Sequence, residues 1–395
     1  MSKFNFYIYR SVVEIFKVWA AEVRTVFGDV GVMIFFFFLP TVYPIVYSLI
    51  YNTEVVRDIP VVVVDDSRTQ TSREFARMYD ATPAAKIAGY AADMEEARDA
   101  MHKKECYAIL HLPEDFDKAS GCGDVAHLDM YCDVSLLFRY RELFVGITQV
   151  CMEFGAEVQA RSTGGMLSSF GDPMPNFVFA LGNTTQGMAS FLLPGILVLI
   201  LQQSLVLGIM MLGAGRRERM LKNGGIDPMA VETSTFNTIV GRTLCYLIIY
   251  SVLTVYLLMF VPKIFSFPQN GDFLEVLAFV QPYILSSIFF GMTIQPLARE
   301  REDSFPIFVF TSIIVMFLSG LTWPRYAMSD LWLLIGDIFP STWALDGFLK
   351  MNANGALISH VSTQYIMLWV LTFVYFIMAL VVHKYIDPPT RGLRK

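Results

Sequence analysis

Charge is scarce in this sequence. Asp, Glu, Lys and Arg make up 17% of its 395 residues, whereas soluble domains usually carry about 25%. The scarcity is also uneven, because 33 of the 66 charged residues lie between Glu54 and Asp172. Two apolar blocks therefore flank one block of ordinary composition. This pattern excludes a simple soluble globule and a disordered chain, and it predicts a membrane protein with one sizeable domain outside the bilayer.

The motifs of common catalysts are missing. The sequence has no GxxxxGK[ST] phosphate loop, no HExxH pair among its five histidines and no GxSxG nucleophile turn. Basic residues are concentrated only in short loops, and the central block carries 12 basic against 21 acidic residues, a net charge of −9. These absences argue against an enzyme, against a nucleotide or metal site in this chain, and against a nucleic-acid partner.

Cysteine is scarce too, with five residues and no CxxC pair. Cys106, Cys122, Cys132 and Cys151 fall in the central block, and Cys245 falls in an apolar stretch. Four cysteines in an oxidising compartment permit disulfides in three connectivities, but free buried cysteine is also common. Both states remain open at this point.

Six uncharged stretches are long enough to cross a bilayer, which takes about 20 residues. They are Val30–Thr53, Pro173–Gly215, Thr243–Pro262, Val276–Ala298, Ser304–Pro324 and Met351–His383. Because one charge at the centre of a span costs roughly 2.5–3.5 kcal/mol, six such stretches are not expected by chance. We therefore predict a polytopic α-helical membrane protein with six transmembrane helices, one before the central block and five after it.

Basic residues predict the orientation of these spans. With a cytoplasmic N-terminus, the cytoplasmic segments hold 14 Lys and Arg residues and the short outer loops hold three. The positive-inside rule then places both termini in the cytoplasm and the acidic block outside the cytoplasmic (inner) membrane. The first apolar stretch is too long for the core of a cleaved signal peptide, so we expect it to stay as a signal anchor.

The spans divide the chain into four predicted domains. These are a cytoplasmic N-terminus (1–29), the first transmembrane helix (30–52), an extracytoplasmic α/β domain (53–185), and helices two to six (186–395) with a cytoplasmic loop (213–238) and an outer segment (323–350). Residues 10–27 predict an amphipathic helix on the membrane surface, with Arg10, Glu14, Lys17 and Arg24 on its polar face. Its predicted apolar face consists of Val12, Ile15, Phe16, Trp19, Val23 and Val26. The alternative is a solvated lead-in to the first span.

The central block predicts a small sheet with helices packed on it, because strand and helix patterns alternate. The predicted elements are a buried strand at Ile59–Val64, a helix capped by Thr71 or Ser72, a helix opened by the capping box Asp93–Glu96, strands at Cys106–Leu112 and Val125–Tyr131, and a helix at Arg139–Arg161 with Leu143, Ile147, Val150, Phe154 and Val158 on its apolar stripe.

Residues 323–350 are apolar but cannot span a bilayer. Their longest apolar run, Leu331–Ile335, is followed by Gly336 and Asp337 and then by Pro340. Such a segment fits a re-entrant hairpin at the outer face, and the alternative is an ordinary amphipathic outer loop.

Glutamines interrupt two of the spans. Gln202 and Gln203 lie midway along the second span, and Gln281 and Gln295 lie in the fourth. Polar groups inside spans either bind neighbouring helices or contact a transported substrate. We regard Gln202, Gln203 and Gln281 as candidates for a substrate path, with helix packing as the alternative.

Several segments together resemble a known family. SFLLPGILVLILQQ (Ser190–Gln203) and GAGRRERM (Gly213–Met220) resemble the second span and cytoplasmic loop of type 2 permeases of ABC exporters, which have the type V exporter fold. FLSGLTWPRYAM (Phe317–Met328) is similar to the outer gate segment of that family. VVVVDDS and AILHLPEDF in the central block resemble its periplasmic insertion, so the resemblance covers nearly the whole chain.

The resemblance implies a permease subunit of an ATP-driven exporter that moves a hydrophobic or amphipathic substrate, such as a drug or a lipid. It implies no cofactor in this chain, with ATP and Mg on separate soluble ABC ATPase subunits. Further implied partners are a second permease copy in a homodimer or heterodimer, a periplasmic adaptor protein and membrane lipid. It assigns ATPase coupling to Arg216, Arg217, Glu218 and Arg219, and an outer gate to Ser319, Gly320, Leu321, Trp323, Pro324, Phe339 and Pro340.

Two other classes of function compete with the exporter. A membrane-anchored receptor or secretion-scaffold subunit would have a large outer domain and no polar residues along its spans, unlike this chain. A secondary transporter is expected to contain an inverted repeat, which an order of one span plus five does not provide. An exporter permease is therefore the favoured function.

Overall fold

The computed structural model describes residues 3–51, 56–122, 126–162 and 187–386. Contacts divide the chain into two compact units. We call them the helical unit (Met1–Glu54 with Ala180–Lys395) and the insert (Val55–Phe179).

The helical unit begins with α1, Lys3–Gly28. Asp29 ends this helix and caps the next, because its carboxylate accepts hydrogen bonds from the backbone N–H groups of Gly31 and Val32. The following apolar helix spans Val30–Ile50. It consists of α2 (Val30–Met33), a π-helical turn (Ile34–Phe38) and α3 (Leu39–Ile50).

The insert is a four-stranded sheet with the strand order β2-β1-β3-β4. The strands are β1 (Ile59–Asp65), β2 (Ala85–Ala91), β3 (Ala108–Leu112) and β4 (Asp129–Cys132). β1 lies in the centre and runs parallel to β2 and β3, while β4 is antiparallel to β3. β2 was not predicted from the sequence, because its residues AKIAGYA are mostly small and have low β propensity. The predicted strand at Val125–Tyr131 begins later, at Asp129, and Val125 lies outside the described residues.

Helices cover both faces of this sheet. They are α4 (Gln70–Asp80), α5 (Met94–His102), α6 (Phe116–Cys122) and α7 (Leu137–Ser162). Val61 and Val63 face a core formed with α4, α6 and α7, whereas Val62 and Val64 face α5. The mixed α/β architecture and the strand buried on both faces are therefore confirmed.

Two predictions about helix caps have different outcomes. Asp93 caps α5 through the N–H of Glu96, as the capping-box pattern predicted. The prediction of Thr71 or Ser72 as the cap of α4 was wrong. Thr69 is the cap, and Ser72 is the third residue of the helix, where its side chain completes the capping box.

Three of the four cysteines in the insert are free thiols in this structure, namely Cys106, Cys132 and Cys151. Burial raises the pKa of all three thiols above the usual value. The side chain of Cys122 lies outside the described residues.

The rest of the helical unit follows the insert. Its helices are α8 (Met188–Lys222), α9 (Thr235–Val255), α10 (Val261–Ile264), α11 (Phe273–Ile294), α12 (Ser304–Leu318), α13 (Asp330–Asp337), α14 (Pro340–Asn354) and α15 (Ser362–Val381). A π-helical turn, Tyr256–Phe260, joins α9 and α10 into one long helix.

Five helices of the described chain are long and apolar enough to cross a membrane: Val30–Ile50, Ala189–Lys222, Thr235–Ile264, Phe273–Leu297 and Ser362–Ile386. The sixth predicted span corresponds to the shorter apolar helix α12. Its 15 residues rise about 22 Å, which is less than the roughly 30 Å of a hydrocarbon core. The chain turns after α12 at Gly320, whose φ of +91° favours glycine. The predicted class, a helical membrane protein with an α/β insert after the first apolar helix, is thus confirmed. Five long apolar helices and one shorter apolar helix stand where six spans were predicted.

Candidate functional site

The helix α1 packs on α9 through polar contacts. Glu14 accepts hydrogen bonds from the Thr233 hydroxyl (2.6 Å) and from Nδ2 of Asn237 (2.9 Å). Hydrogen bonds from Thr233, Arg10 and Asn237 hold the pKa of Glu14 below its usual value. The sequence placed Glu14 on the solvated face of α1, but the structure turns it towards α9, while Phe16 of the predicted apolar face is 55% exposed.

A buried carboxylate lies further along α1. Glu22 is 5% exposed, and its Oε1 lies 3.1 Å from Nη1 of Arg216 in α8. Its Oε2 lies 3.4 Å from Nε of Arg242 in α9. The Tyr246 hydroxyl donates a further hydrogen bond to Glu22. Glu22 therefore ties three helices together, and we call Glu22, Arg216, Arg242 and Tyr246 the ionic cluster.

The charge state of Glu22 follows from these neighbours. Burial on its own raises the pKa of a carboxyl group, but the guanidinium groups of Arg216 and Arg242 and the Tyr246 hydroxyl outweigh it. The pKa of Glu22 is therefore lowered, and the group is ionised at neutral pH. A cavity of about 30 Å³ adjoins the cluster and is large enough for ordered water.

Arg216 also reaches the end of α11. Its Nη2 donates to Oε1 of Gln295 at 3.1 Å, and Gln295 is 1% exposed. Gly213 makes this approach possible, because a Cβ atom at that position would lie 2.2 Å from Cγ of Gln295. The glutamine noted in the fourth span thus completes a link between α1, α8, α9 and α11.

The neighbouring residues of α8 are engaged as well. Arg217 donates to the carbonyl oxygens of Pro296 (3.2 Å) and Ala298 (2.9 Å), just after α11. Arg219 forms a bidentate ion pair with Asp227. Its Nε donates to Oδ1 at 3.0 Å, and its Nη2 donates to Oδ2 at 3.2 Å. This contact fastens the chain between α8 and α9 to the end of α8.

Glu218 takes part in a second ionic link. Its Oε2 lies 3.5 Å from Nε of Arg301, in the connection between α11 and α12. Nη1 of Arg301 lies 2.7 Å from Oδ2 of Asp29, the residue before the first apolar helix. This link brings the first span, α8 and the connection before α12 together.

The four predicted coupling residues differ from expectation in their setting. The sequence placed Arg216, Arg217, Glu218 and Arg219 in a loop, but all four lie in the last turns of α8, which continues to Lys222. A helix is favoured there because Arg, Glu, Met, Leu and Lys are good helix formers and no breaker precedes Gly224. Their side chains bind other elements rather than projecting as a free charged surface.

The second group of candidate residues surrounds a helical hairpin formed by α13 and α14. Oε1 of Gln202 accepts a hydrogen bond from the backbone N–H of Ser341 at 2.8 Å and lies 3.4 Å from the Ser287 hydroxyl. Ser341 lies in the first turn of α14, where N–H groups have no partner within the helix. Gln202 supplies that partner from the middle of α8.

The position of Gln202 shows how deep the hairpin reaches. Gln202 follows the first residue of α8, Met188, by 14 positions, which corresponds to about 21 Å along the helix. The other end of α14 returns to the start of α8, because Asn352 lines the same cavity as Ser190. The hairpin therefore enters the helical unit, reverses near the middle of α8 and leaves again.

Side chains satisfy backbone groups at the reversal. The Tyr375 hydroxyl donates to the carbonyl oxygen of Ile338 (2.7 Å), and the Thr342 hydroxyl donates to that of Gly336 (2.8 Å). Nε1 of Trp343 donates to the carbonyl oxygen of Asp337 at 3.0 Å. Irregular backbone at membrane depth requires such partners, since it would otherwise leave polar groups unpaired.

The predicted gate residues lie along this hairpin and the turn that precedes it. Leu321 is 6% exposed and packs against Gly195 of α8, where a Cβ atom would lie 2.4 Å from Cδ1 of Leu321. The ring of Phe339 lies at the reversal, with its centroid 5.9 Å from that of Phe290. Trp323 is 57% exposed.

The remaining gate residues shape the backbone. Ser319 is 1% exposed, and its hydroxyl donates to the carbonyl oxygen of Met316 at 2.9 Å. Pro324 precedes the 3₁₀ turn Arg325–Ala327. Pro340 is the first residue of α14, a position where proline costs no hydrogen bond.

The other glutamines have different surroundings. Gln281 is half-buried in α11, and its Oε1 lies 3.4 Å from the Ser251 hydroxyl of α9. Gln203 is 8% exposed and points to a different side of α8 from Gln202, because successive helical residues are about 100° apart. The contacts of Gln202 and Gln281 favour helix packing for these two residues.

Sequence reasoning missed Glu22, Asp29 and Arg301. Glu22 is separated from Arg216 by 194 residues, and no local pattern connects them. An available signal was the single acidic residue in the Trp19–Val23 segment of α1, which is otherwise apolar.

Comparison with known families gives one result that covers most of the molecule. Residues 31–381 match the family described as ABC-2 family transporter protein. No curated protein matches the sequence. The chain belongs to the ABC-2 transporter family, as a membrane permease component that lacks the ATPase.

Proposed function

We propose that this chain is the membrane-spanning subunit of an ATP-driven exporter, which moves a hydrophobic or amphipathic substrate out of the cytoplasm or the inner leaflet. ABC-2 permeases work with ABC ATPases, so ATP and Mg are expected on separate soluble subunits. A second permease copy completes the translocation path, and an extracytoplasmic adaptor receives the substrate. The family match and the ionic cluster at one end of the helical unit carry this proposal.

The ionic cluster suits the transmission of movement from an ATPase. Buried ion pairs resist separation, because breaking one leaves an uncompensated charge in a poorly solvated place. Glu22 and Arg216 therefore make α1 and α8 move together, and Arg301 extends this link to the connection before α12. We propose that four residues contribute to coupling by holding α8 to its neighbouring elements, whereas other residues contact the ATPase directly. The four are Arg216, Arg217, Glu218 and Arg219.

Exposed apolar residues supply the contact surface itself. Leu221 is 84% exposed at the end of α8, and Ile226 and Met229 in the following loop are 47% and 41% exposed. Exposed apolar residues at a helix end and in the loop that follows it are typical of a protein interface. We propose that this surface docks on the ATPase, held in shape by the contact between Arg219 and Asp227.

The hairpin of α13 and α14 is proposed as the outer gate. Its reversal is fixed by Gln202, Tyr375 and neighbouring side chains, so a shift of α8 is passed to α14. This assignment places the loop after α8 in the cytoplasm and the insert outside, in agreement with the excess of basic residues predicted to be cytoplasmic.

Substitution of the docking surface tests the proposal. Leu221→Asp should abolish co-purification of the ATPase and the stimulation of its ATP hydrolysis, while the permease still inserts and folds. Leu357→Asp is the matched control, because Leu357 is 45% exposed in the loop between α14 and α15. Normal co-purification of the Leu221→Asp variant, or equal loss in both variants, would contradict the proposed docking surface.

A further inference from the structure

The insert contains a cavity of about 780 Å³ at the carboxyl ends of β1 and β2. Its lining residues are Asp65, Arg68, Gln70, Arg73, Arg77, Tyr90, Ala91 and Ala92. Open α/β sheets bind ligands beyond the carboxyl ends of their strands, at the point where the strand order reverses. The central strand β1 borders both that point, between β1 and β3, and this cavity. The size and the position of this cavity therefore fit a ligand site, which we call the arginine cavity.

The positive charge of the arginine cavity is not balanced locally. Within the described part of the chain, no carboxylate lies within ion-pair distance of Arg68, Arg73 or Arg77. Glu74, on the same helix as Arg73 and Arg77, is bound instead by Arg161 at 3.1 Å. Arg77 acts on Glu74 only through space. Three guanidinium groups therefore border one cavity, and in the described residues none of them has a carboxylate within ion-pair distance.

The single carboxylate in the lining, Asp65, stabilises the loop that precedes α4. Oδ1 of Asp65 accepts a hydrogen bond from the backbone N–H of Arg68 (2.9 Å), and Oδ2 accepts one from the Ser72 hydroxyl (2.8 Å). These bonds hold the loop that carries Arg68, whose φ of +52° is unusual for a residue other than glycine. With three arginines against one aspartate, the lining has a net charge of +2.

This positive cavity contrasts with the block between Glu54 and Asp172 in which it lies, where 21 acidic residues outnumber 12 basic ones. Like charges that converge without compensation repel each other, and a bound anion removes the repulsion. Guanidinium groups favour phosphate in particular, because each can donate two parallel hydrogen bonds to its oxygens.

We propose that the arginine cavity binds a phosphate group, carried by a soluble phosphate ester or by a lipid headgroup. Arg68, Arg73 and Arg77 contact the phosphate oxygens, and Tyr90, which is 59% exposed, lies beside the organic part of the ligand. A carboxylate has only two oxygens and fits three guanidinium groups less well. This site is independent of the proposed transport function.

Calorimetric titration of the full-length protein in a neutral, phosphate-free detergent tests this site. The probes are inorganic phosphate and a short-chain phosphatidic acid below its critical micelle concentration. We expect saturable binding of at least one probe, and the loss of one arginine in Arg73→Gln or Arg77→Gln should weaken it by about tenfold or more. Arg98→Gln is the control, since Arg98 is an exposed arginine on α5, outside the cavity.

The two probes distinguish the sources of the phosphate. Binding of inorganic phosphate that depends on the arginines supports a soluble ester, whereas arginine-dependent binding of phosphatidic acid alone supports a lipid headgroup. The site is refuted if neither probe binds, if the Arg73→Gln and Arg77→Gln variants bind like the wild type, or if Arg98→Gln weakens binding equally.

Discussion

Gln202 and Ser341 join the centre of α8 to the first turn of α14 through a hydrogen bond of 2.8 Å. The two residues are 139 positions apart in the sequence, and the bond gives a partner to an N–H group that the helix itself cannot satisfy. A residue that the sequence suggested as a substrate contact is therefore a structural link between a long span and the proposed gate.

Removal of this acceptor should loosen the gate. In Gln202→Leu the N–H of Ser341 is left without its partner, which costs about 1–3 kcal/mol. We expect a lower melting temperature and impaired export, whereas Gln202→Glu retains an acceptor oxygen and should lose less stability. Thermal unfolding and transport assays at matched expression measure both effects. Equal behaviour of the Leu variant and the wild type would contradict the link.

Loss of Glu22 should destabilise the helical unit more than loss of Glu14. Glu22→Ala leaves Arg216 and Arg242 buried without their shared carboxylate, and breaking a buried ion pair costs about 3–5 kcal/mol. Glu14 is 21% exposed in its side chain, so Glu14→Ala serves as the control on the same helix and should cost less. Thermal unfolding in one detergent compares the two variants. A smaller effect for Glu22→Ala would overturn the importance of the ionic cluster.

Two substitutions in the proposed gate should have opposite effects. Gly320→Leu forces a bulky residue into a φ of +91°, which strains the turn after α12, and we expect export to stop while the ATPase remains bound. Phe339→Ala removes the ring that packs against Phe290, so basal ATP hydrolysis or passive dye uptake should rise. Normal transport by both variants at wild-type expression would exclude the gate.

The insert should lose stability as the pH rises through the range where His111 titrates. Nε2 of His111 lies 2.9 Å from Oδ2 of Asp66, and Nδ1 lies 3.4 Å from Oδ2 of Asp129. Burial lowers the pKa of His111, but the two carboxylates outweigh it, so the pKa is raised above its usual value. Only the protonated ring can donate hydrogen bonds from both nitrogens.

Because the pKa of His111 is raised in the folded insert, protonated His111 stabilises the insert fully below the ordinary histidine pKa of about 6.5. This stabilisation is lost as the pH rises through the higher pKa that His111 has in the folded protein. The melting temperature of wild type relative to His111→Asn should therefore be highest in acid and fall with rising pH. A constant difference between wild type and His111→Asn would disprove the role of His111.

Local pattern was sufficient for much of the fold. The β-branched run of β1, the N-cap Asp93 of α5 and the apolar stripe of α7 each act over a few residues, and all three were predicted correctly. β2 was not predicted because its small residues have little tendency to form a strand on their own. They do so here by pairing with β1. The 15-residue length of α12 depends on the turn at Gly320, which composition does not reveal.

The candidate site was harder to predict because its contacts join distant parts of the chain. The basic cluster at the end of α8 was recognised, but its partners Glu22 and Asp227 could not be inferred from spacing. An amphipathic pattern predicts only which face of a helix is polar, and it therefore placed Glu14 in solvent. In the structure Glu14 binds Thr233 and Asn237, which lie just before and on α9. Buried ionic contacts between helices depend on the three-dimensional arrangement alone.

Purification of this chain from its native membrane, followed by identification of bound proteins, tests the central claim most directly. We expect a soluble subunit that contains a GxxxxGK[ST] phosphate loop. In reconstituted vesicles, ATP hydrolysis by this subunit should drive transport only when the permease is present. Purification of the chain without any ATP-hydrolysing partner, together with transport that proceeds without ATP, would contradict its assignment as the permease of an ATP-driven exporter.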